Sequence, residues 1–592
     1  MRFPGALLSV LIAWSVSESI VHAAQNPAKP NVLIILADDE GWGDLSVNGN
    51  TNLHTPNIDS LAHDGALLDR FYVCPVCSPT RAEFLTGRYA LRCGVHDVST
   101  GGERLNLDEH TVAEAFQKAG YATAAFGKWH NGMQYPYHPR ARGFDEFYGF
   151  CSGHWGDYFD APIEHDGRPV DQHGYLTDDF TEHAMDFIAH HQDQPFFCYV
   201  PFNSPHTPLQ VPDEFFNRFA KVDPALRSWN PAQENLAETR AILAMTENID
   251  WNVGRLLQQL DKLHLAENTI VLYFSDNGPN TWRWNGEMKG RKGSTDEGGV
   301  RAPFLIRWPG HISAGSRVPQ IAGAIDLLPT LIDLAGIPRV GEKPLDGRSL
   351  KPLLTGDQAV AWPERMIFSA WMGKASVRTQ QYRMDNAGAL FDMSADPIQD
   401  HNIAAENPAP THQLSQALAE WKTAVGVGPA RPDDRPFPVG YPAFPITQLP
   451  ARDGIPHGGV QRSSKAPNCS FFTHWTSTKD SMTWDIDVAT AGKYEAVIYY
   501  TVPAADVGST VEFSFQDHRL EGRVSVANDP PLHGDEHDRA KRGDESLIKD
   551  FKPLDLGEIE LTPGRHPLIL RALQVPGKSV MDVRLIYLTL KP

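Results

Sequence analysis

Past its first two dozen residues the chain has no apolar run approaching the ~18 to 20 residues needed to cross a bilayer, so no membrane span is expected in the mature protein. Basic charge is in deficit. There are 53 basic side chains against 73 acidic ones, and the net charge of −20 argues against nonspecific binding to nucleic acid or an anionic membrane. A polyanionic substrate would need a local basic pocket. Cysteine is scarce as well: six (Cys74, Cys77, Cys93, Cys151, Cys198 and Cys469) in 592 residues do not make a disulfide scaffold, though one or two bridges fit an oxidising compartment. No internal repeat is visible, and the one compositionally biased tract is rich in proline.

What is present begins with an export signal. Arg2, the apolar run "ALLSVLIAWSV" and the small residues of "VHA" before Ala24 read residues 1–23 as a signal peptide, which places the mature chain in the periplasm or outside the cell. Four short apolar runs then end in polar clusters. "NVLIILADDEGWGD" leads into Asp38 and Asp39, "YATAAFGKWH" into Lys128 and His130, "PFFCYVPFNSPHTP" into His206, and "NTIVLYFSDNGP" into Asp276 and Asn277. Each reads as a fully buried strand with ionisable groups at its carboxyl end. A helical pattern over 237–260 (Ile242, Met245, Ile249, Val253, Leu256, Leu260) alternates with them. The expectation is an α/β fold with a largely parallel sheet, whose ligands bind outside the carboxyl ends of the strands. The four clusters are therefore expected at one edge.

The α/β unit is expected over 28–362. "ERMIFSAWM", "ASVRTQQYRM" and "GALFDMSADP" predict a small antiparallel sheet over 363–427, closed by the helix "LSQALAEWKTAV". Residues 428–459 carry eight prolines and read as an extended connector without regular structure. From 460 to 592, alternation such as Met482, Trp484, Ile486 and Val488 predicts an additional β-sandwich.

Three carboxylates and an amide (Asp38, Asp39, Asp276, Asn277) supply the oxygens that a hard cation such as calcium or magnesium wants, and the lack of histidine in the set disfavours zinc. Asp38 and Asp39 taken alone would more often be a turn. His130 and His206 are candidates for acid/base work, although an isolated histidine is more often structural. Lys289 and Lys292 lie in the glycine-rich "MKGRKGSTDEGGVRAP", where backbone can approach an anion closely. Trp282 and Trp284 could stack on a sugar face or equally fill a core. Cys77 in "CPVCSPTRAEFLTGRY" reads as a disulfide partner of Cys74, a metal ligand, a thiol nucleophile or a modified residue.

Here a family resemblance enters. "CSPTRAEFLTGR" resembles the signature of the type I, formylglycine-dependent sulfatases of the alkaline phosphatase superfamily: cysteine, any residue, proline, any residue, arginine, then leucine-threonine-glycine-arginine. "TPNIDSLAHDGALLDRFY", "GKWH", "GFDEFYGF", "SPHTP", "FSDNGP", "KGSTDEGGVRAPFLIRWPG" and "LFDMSADPIQDHNIA" resemble further family blocks in family order, over about residues 30 to 425. Thr80 departs from the more usual serine. The resemblance implies an alkaline-phosphatase-like sheet sandwiched by helices, and an arylsulfatase-like sulfuric ester hydrolase. It also implies that a formylglycine-generating enzyme oxidises Cys77 to Cα-formylglycine, whose hydrate offers one hydroxyl as nucleophile and keeps a second for release. Asp38, Asp39, Asp276 and Asn277 would hold one calcium ion, with magnesium as the alternative, together with the modified Cys77. Arg81 and Lys128 would hold the nucleophile and the sulfate charge, Lys292 and His206 would contact the ester and assist the leaving alcohol, and His130 would take the proton from the remaining hydroxyl. Sulfated carbohydrates are the expected substrates, with aryl sulfates as artificial ones. The rival readings are a phosphate or phosphonate monoester hydrolase on the same fold, whose members tend to carry histidine where Asn277 stands, and a noncatalytic glycan-binding protein. The sandwich would bind glycan or merely pack against the catalytic unit.

Overall fold

The run Asn31–Ala37 (β1) is buried at every position and lies at the centre of a ten-stranded sheet. Such continuous burial is what a strand covered on both faces requires. The computed structural model describes residues 29–356 and 362–592 together with Met1, so the expected signal peptide lies outside the described residues beyond that first methionine. On one side β1 pairs in parallel with Phe196–Pro201 (β3), and on the other with Thr269–Ser275 (β4). Ala122–Lys128 (β2) continues the parallel series beyond β3. Register aligns the ends: Leu36 stands opposite Pro201, and Ala37 opposite Ser275. The residues following all four strands therefore emerge on one edge. Antiparallel strands complete the sheet at both flanks.

Successive side chains of β1 point to opposite faces. Leu33, Ile35 and Ala37 enter one core with Phe126 and the helix Leu236–Lys262 (α2), while Val32, Ile34 and Leu36 enter another with Phe84, Phe116 and Leu331. Each such buried aliphatic side chain contributes roughly 1.5–3 kcal/mol. Asn235 caps α2 by accepting the Ala237 and Glu238 N–H groups, and the apolar stripe Ile242, Met245, Ile249, Val253, Leu256 and Leu260 faces the sheet side. Ile367–Trp371, Lys374–Arg378, Tyr382–Met384 and Leu390–Asp392 form a four-stranded antiparallel meander. The helix Pro408–Val425 closes it through Leu414, Leu418 and Trp421, the last stacked on Phe368 with ring centroids 4.8 Å apart.

The C-terminal part is a sandwich of two six-stranded sheets around one core that includes Trp484, Phe513, Tyr494 and Ile498. The expectation of an irregular connector over 428–459 does not hold. Phe437–Val439 pairs with Ile486–Val488, Ile446–Pro450 with Leu585–Thr589, and Ile455–His457 with Ser481–Thr483, so the sandwich is entered near residue 437 and not at 460. The prolines were compatible with strands because Pro438, Pro450 and Pro456 lie on segments at the margins of the sheets, where a missing N–H breaks no interior ladder. Strands His518–Arg523 and Lys552–Leu561 are joined by residues 524–551, which run back over the α/β unit: Arg539 N–H donates to Leu209 O at 2.9 Å and Gln210 Nε2 to Gly534 O at 2.7 Å.

Candidate active site

The helix Cys77–Thr86 (α1) starts on Cys77 and ends on Gly87, whose φ of 69° is the left-handed conformation glycine adopts without cost. Its first turn is fastened to the sheet edge by Thr80. The hydroxyl accepts the Cys74 N–H at 2.8 Å and donates to Asp276 O at 2.6 Å. Threonine thus keeps the one group of serine that this position uses. Cys77 is 3% exposed at the positive end of the helix dipole. Both Cys74 and Cys77 are free thiols.

The structure brings the other candidates to the same place. Arg81 is fully buried; its Nε and Nη2 donate to Asp276 Oδ2 at 3.1 and 2.7 Å, and its Nη1 donates to Lys128 O at 2.6 Å. Lys128 Nζ pairs with Asp38 Oδ2. Lys292 Nζ donates to Asp39 Oδ1 at 2.5 Å, Asn277 Nδ2 donates to the same oxygen at 2.8 Å, and His206 Nε2 stands 3.7 Å from Asp39 Oδ2. Asp39 and His130 both hold positive φ, 70° and 64°, a strained backbone for residues other than glycine and one that recurs where side chains are aimed into sites. Ligand atoms of Asp38, Cys77 and Asp276 lie within 4.8 Å of one another. Lys289 does not join them; its Nζ lies over the Phe391 ring at 5.7 Å. Trp282 and Trp284 are half-buried, with Trp282 stacked beside Trp229.

Three buried carboxylates at one edge repel. Burial, and then the charge of Asp276, pushes Asp38 up to about 7. Asp39 is equally buried, yet Lys292, His206 and the Asn277 amide hold it well below the usual carboxylate range. Buried oxygens of three of these residues, Asp38 Oδ1, Asp39 Oδ2 and Asn277 Oδ1, have no hydrogen-bond partner. Burial raises the Cys77 thiol, with Asp38 and Asp276 adding to it against Lys128 and Lys292. A thiol held protonated is a poor nucleophile, which weighs against Cys77 acting as an ordinary thiolate. Burial, reinforced by Lys128, pushes His130 well below its ordinary value. Its Nε2 lies 2.7 Å from Val98 O, so Nε2 carries the proton and the unpartnered Nδ1 carries a lone pair. His206 is lowered to about 3 by burial and then by Lys292; Nδ1 donates to Thr207 O at 2.6 Å, leaving Nε2 toward Asp39.

Glu83, buried on α1, gives a pH prediction. Burial pushes its carboxyl from 4.5 up to about 8. The folded chain thus keeps a proton that the unfolded chain releases near 4.5, so this contribution to stability is full below that pH and is lost as pH rises toward 8. Glu83→Gln is expected to match the parent at about pH 5 and to exceed it in urea midpoint at about pH 8. Parallel pH curves for the two proteins would contradict this origin of the loss.

Several neighbours were missed from sequence. Arg283 donates to Asp39 O at 2.8 Å and is paired with buried Asp44, bracing the loop after β1. His154, Asn468 and Glu545 pack together beside His206, the last two from the sandwich. No periodicity or motif marks these three.

Comparison with known proteins agrees with this arrangement. The family model described as Sulfatase matches residues 30–337, just over half of the chain, and the one described as N-sulphoglucosamine sulphohydrolase, C-terminal, matches 292–423. N-acetylgalactosamine-6-sulfatase of Mus musculus is 34% identical over 377 residues, covering 58% of this chain and 69% of the relative. Arylsulfatase A of Homo sapiens is 32% identical over 478 residues, covering 72% and 89%. The crystal structure of Ps i-CgsB in complex with k-i-k-neocarrahexaose superposes with a TM-score of 0.60 at 31% identity, covering 66% of this chain and 92% of that one. An α/β sheet with arginine, lysine, histidine and carboxylate groups gathered around Cys77 at one edge, and matches of this extent, place the chain in the sulfatase family of the alkaline phosphatase superfamily, as an enzyme that hydrolyses sulfate esters.

Proposed function

We propose that the chain is an exported sulfatase of sulfated carbohydrates, using Cys77 oxidised to Cα-formylglycine by a formylglycine-generating enzyme and one calcium ion held by Asp38, Asp39, Asp276, Asn277 and the oxidised residue 77. The observation that carries this reading is the convergence beside Cys77 of oxygen donors, three of them buried without a partner. Oxygen-only donors fit a hard cation, calcium in this reading with magnesium as the alternative. When bound, the cation and the hydrated aldehyde supply Lewis-acid charge and a hydroxyl nucleophile.

This chain's own residues do the rest. Arg81 fixes the Asp276 carboxylate and the end of β2. Lys128 and Lys292 carry the positive charge that a sulfate group meets in a largely buried site. Lys292 and His206 are the parts of the cluster still open to solvent, with side chains 15% and 9% exposed, so the alcohol of the ester leaves on their side. An anionic ester arriving there offsets the Lys292 charge that depresses His206, so the ring can serve the departing oxygen. His130 Nδ1 accepts a proton from residue 77. A sulfated sugar is the substrate class because the relative named N-acetylgalactosamine-6-sulfatase acts on one. In this reading 28–362 and 363–427 form the catalytic unit, and the sandwich is an accessory unit.

The test is mass spectrometry of the tryptic peptide 71–81, which contains both Cys74 and Cys77. From the native host, fragmentation is expected to place at residue 77 a loss of about 18 Da, the difference between CH2SH and CHO. An intact thiol at 77 overturns the proposal. Faster turnover of aryl phosphates than of aryl sulfates would favour the rival phosphomonoesterase.

A further inference from the structure

The sandwich lies outside both matched family segments, which end at residues 337 and 423, yet it reaches the active site. We infer that it completes that site: Glu545 and Asn468 act as positioning residues that hold His154, and with it the ring of His206, in the orientation the departing alcohol needs. This rests on the proposed role of His206 at the leaving oxygen.

His206 is placed by two neighbours. Its Nδ1 donates to Thr207 O, and its ring lies parallel to that of His154, 13° between planes with centroids 5.7 Å apart. Both neighbours are tied to one carboxylate from the sandwich. Glu545 pairs with His154 Nε2, and its Oε1 accepts the Thr207 hydroxyl at 3.0 Å. Asn468 fixes the other end of His154. Its Oδ1 accepts from Gly153 N–H at 3.3 Å and from Arg452 Nη1 at 3.2 Å, which turns its Nδ2 to His154 Nδ1 at 3.1 Å. His154 Nδ1 therefore bears the lone pair and Nε2 the proton, and Nε2 stands in ion-pair contact with the Glu545 carboxylate without the alignment of a hydrogen bond.

The loop carrying Glu545 is anchored where it has to act. Gln210 binds Gly534 O and Asp538, Arg539 Nη2 donates to Val211 O at 2.7 Å, and Ser463 and Ser546 hydroxyls meet at 3.0 Å within the sandwich. The anchors fall on the segment that follows His206, so the loop and the catalytic histidine share one support. A second arm runs from Arg452, whose Nη2 donates to Glu103 Oε1 at 3.0 Å; the Glu103 carbonyl in turn accepts from Asn131 Nδ2 at 3.3 Å, beside Ser78. The two units approach closely at this point: a Cβ on Gly153 would stand 2.6 Å from His130 Nε2 and 2.8 Å from Asn468 Nδ2.

A positioning role at the leaving oxygen has a signature that a purely structural role lacks. 4-Nitrophenolate departs without help, whereas phenolate benefits from a well-placed histidine. In the full-length enzyme, Glu545→Ala is expected to lower kcat on phenyl sulfate about 30- to 100-fold but on 4-nitrophenyl sulfate less than about 3-fold, with KM changed less than about 2-fold. Glu545→Gln keeps the length and shape that pack against His154 and can still meet the Thr207 hydroxyl, so it is expected to stay within about 3-fold of the parent on both substrates. Asn468→Ala is expected to show the same selectivity at smaller size, and it carries the test if Glu545→Ala does not accumulate. His206→Ala is the reference. If His206→Ala discriminates between the substrates while Glu545→Ala and Asn468→Ala lower both equally or neither, the positioning role is wrong and the role of His206 stands. If none of them discriminates, both fall.

Discussion

Cys77→Ala is expected to fold and to lose turnover by about 10^5-fold or more, the scale on which removal of a nucleophile is felt. Folding is expected to survive because alanine is the best helix former at a position already helical, and the neighbouring Lys128 and Asp38 stay paired with each other. Its stability is therefore expected to lie within about 1 kcal/mol of the parent. Cys77→Ser separates two ideas that alanine cannot. A serine hydroxyl can attack, but its carbon carries no second hydroxyl from which sulfate could be expelled. The serine variant is expected to stop after at most one turnover and to gain about 80 Da, the mass of SO3, on residue 77. Sustained turnover by either variant would remove Cys77 from the mechanism.

Arg81→Met is expected to be the most damaging single substitution for stability. The guanidinium is the nearest full positive charge to Asp276 and lies 3.7 Å from Asp38, with all three side chains at zero exposure. Removing it leaves buried Asp276 without its guanidinium partner beside Asp38, which keeps only Lys128, and leaves Lys128 O without its donor. Breaking a buried pair in this way costs about 3–5 kcal/mol. Methionine fills much of the same volume, so the loss reports charge and hydrogen bonding more than a cavity. Urea unfolding checks the size, and calcium checks the cause. A bound cation would shield the same carboxylates, so added calcium is expected to raise the midpoint of Arg81→Met more than that of the parent. Equal shifts in the two proteins would mean that Arg81 and the cation do not share these carboxylates.

Much of this site was legible because its parts sit at the ends of parallel strands. A strand buried on both faces writes itself as an unbroken apolar run, as in "VLIILA", and the chain must turn polar where it leaves the sheet, as at Asp38, Lys128 and Asp276. Helix α2 was readable from its stripe for a similar reason. The prolines of 428–459 misled because proline forbids a strand only where its N–H is wanted, and which strands lie at a margin is decided by pairing, not composition. Arg283 and Asp44 pair across 239 positions, and Asn468 and Glu545 stand on irregular segments. Such contacts leave no period in the sequence, and only the folded chain joins them.

The burial of Cys77 also sets a clock. A side chain 3% exposed offers no access to another enzyme, so the oxidation proposed for it would have to precede closure of the fold. Asp276 and Lys292 follow Cys77 by about 200 residues, which at ribosomal speeds of about 5–20 residues per second leaves a window of roughly 10–40 s. During that window the proposed oxidising enzyme would meet an unfolded strand, with no pocket and no neighbouring strands to read. On that proposal it would recognise the word and not the shape. The proposal would account for an asymmetry in the sequence: the remaining site residues are scattered from 38 to 292, whereas "CSPTRAEFLTGR" is contiguous, an address readable before there is any structure.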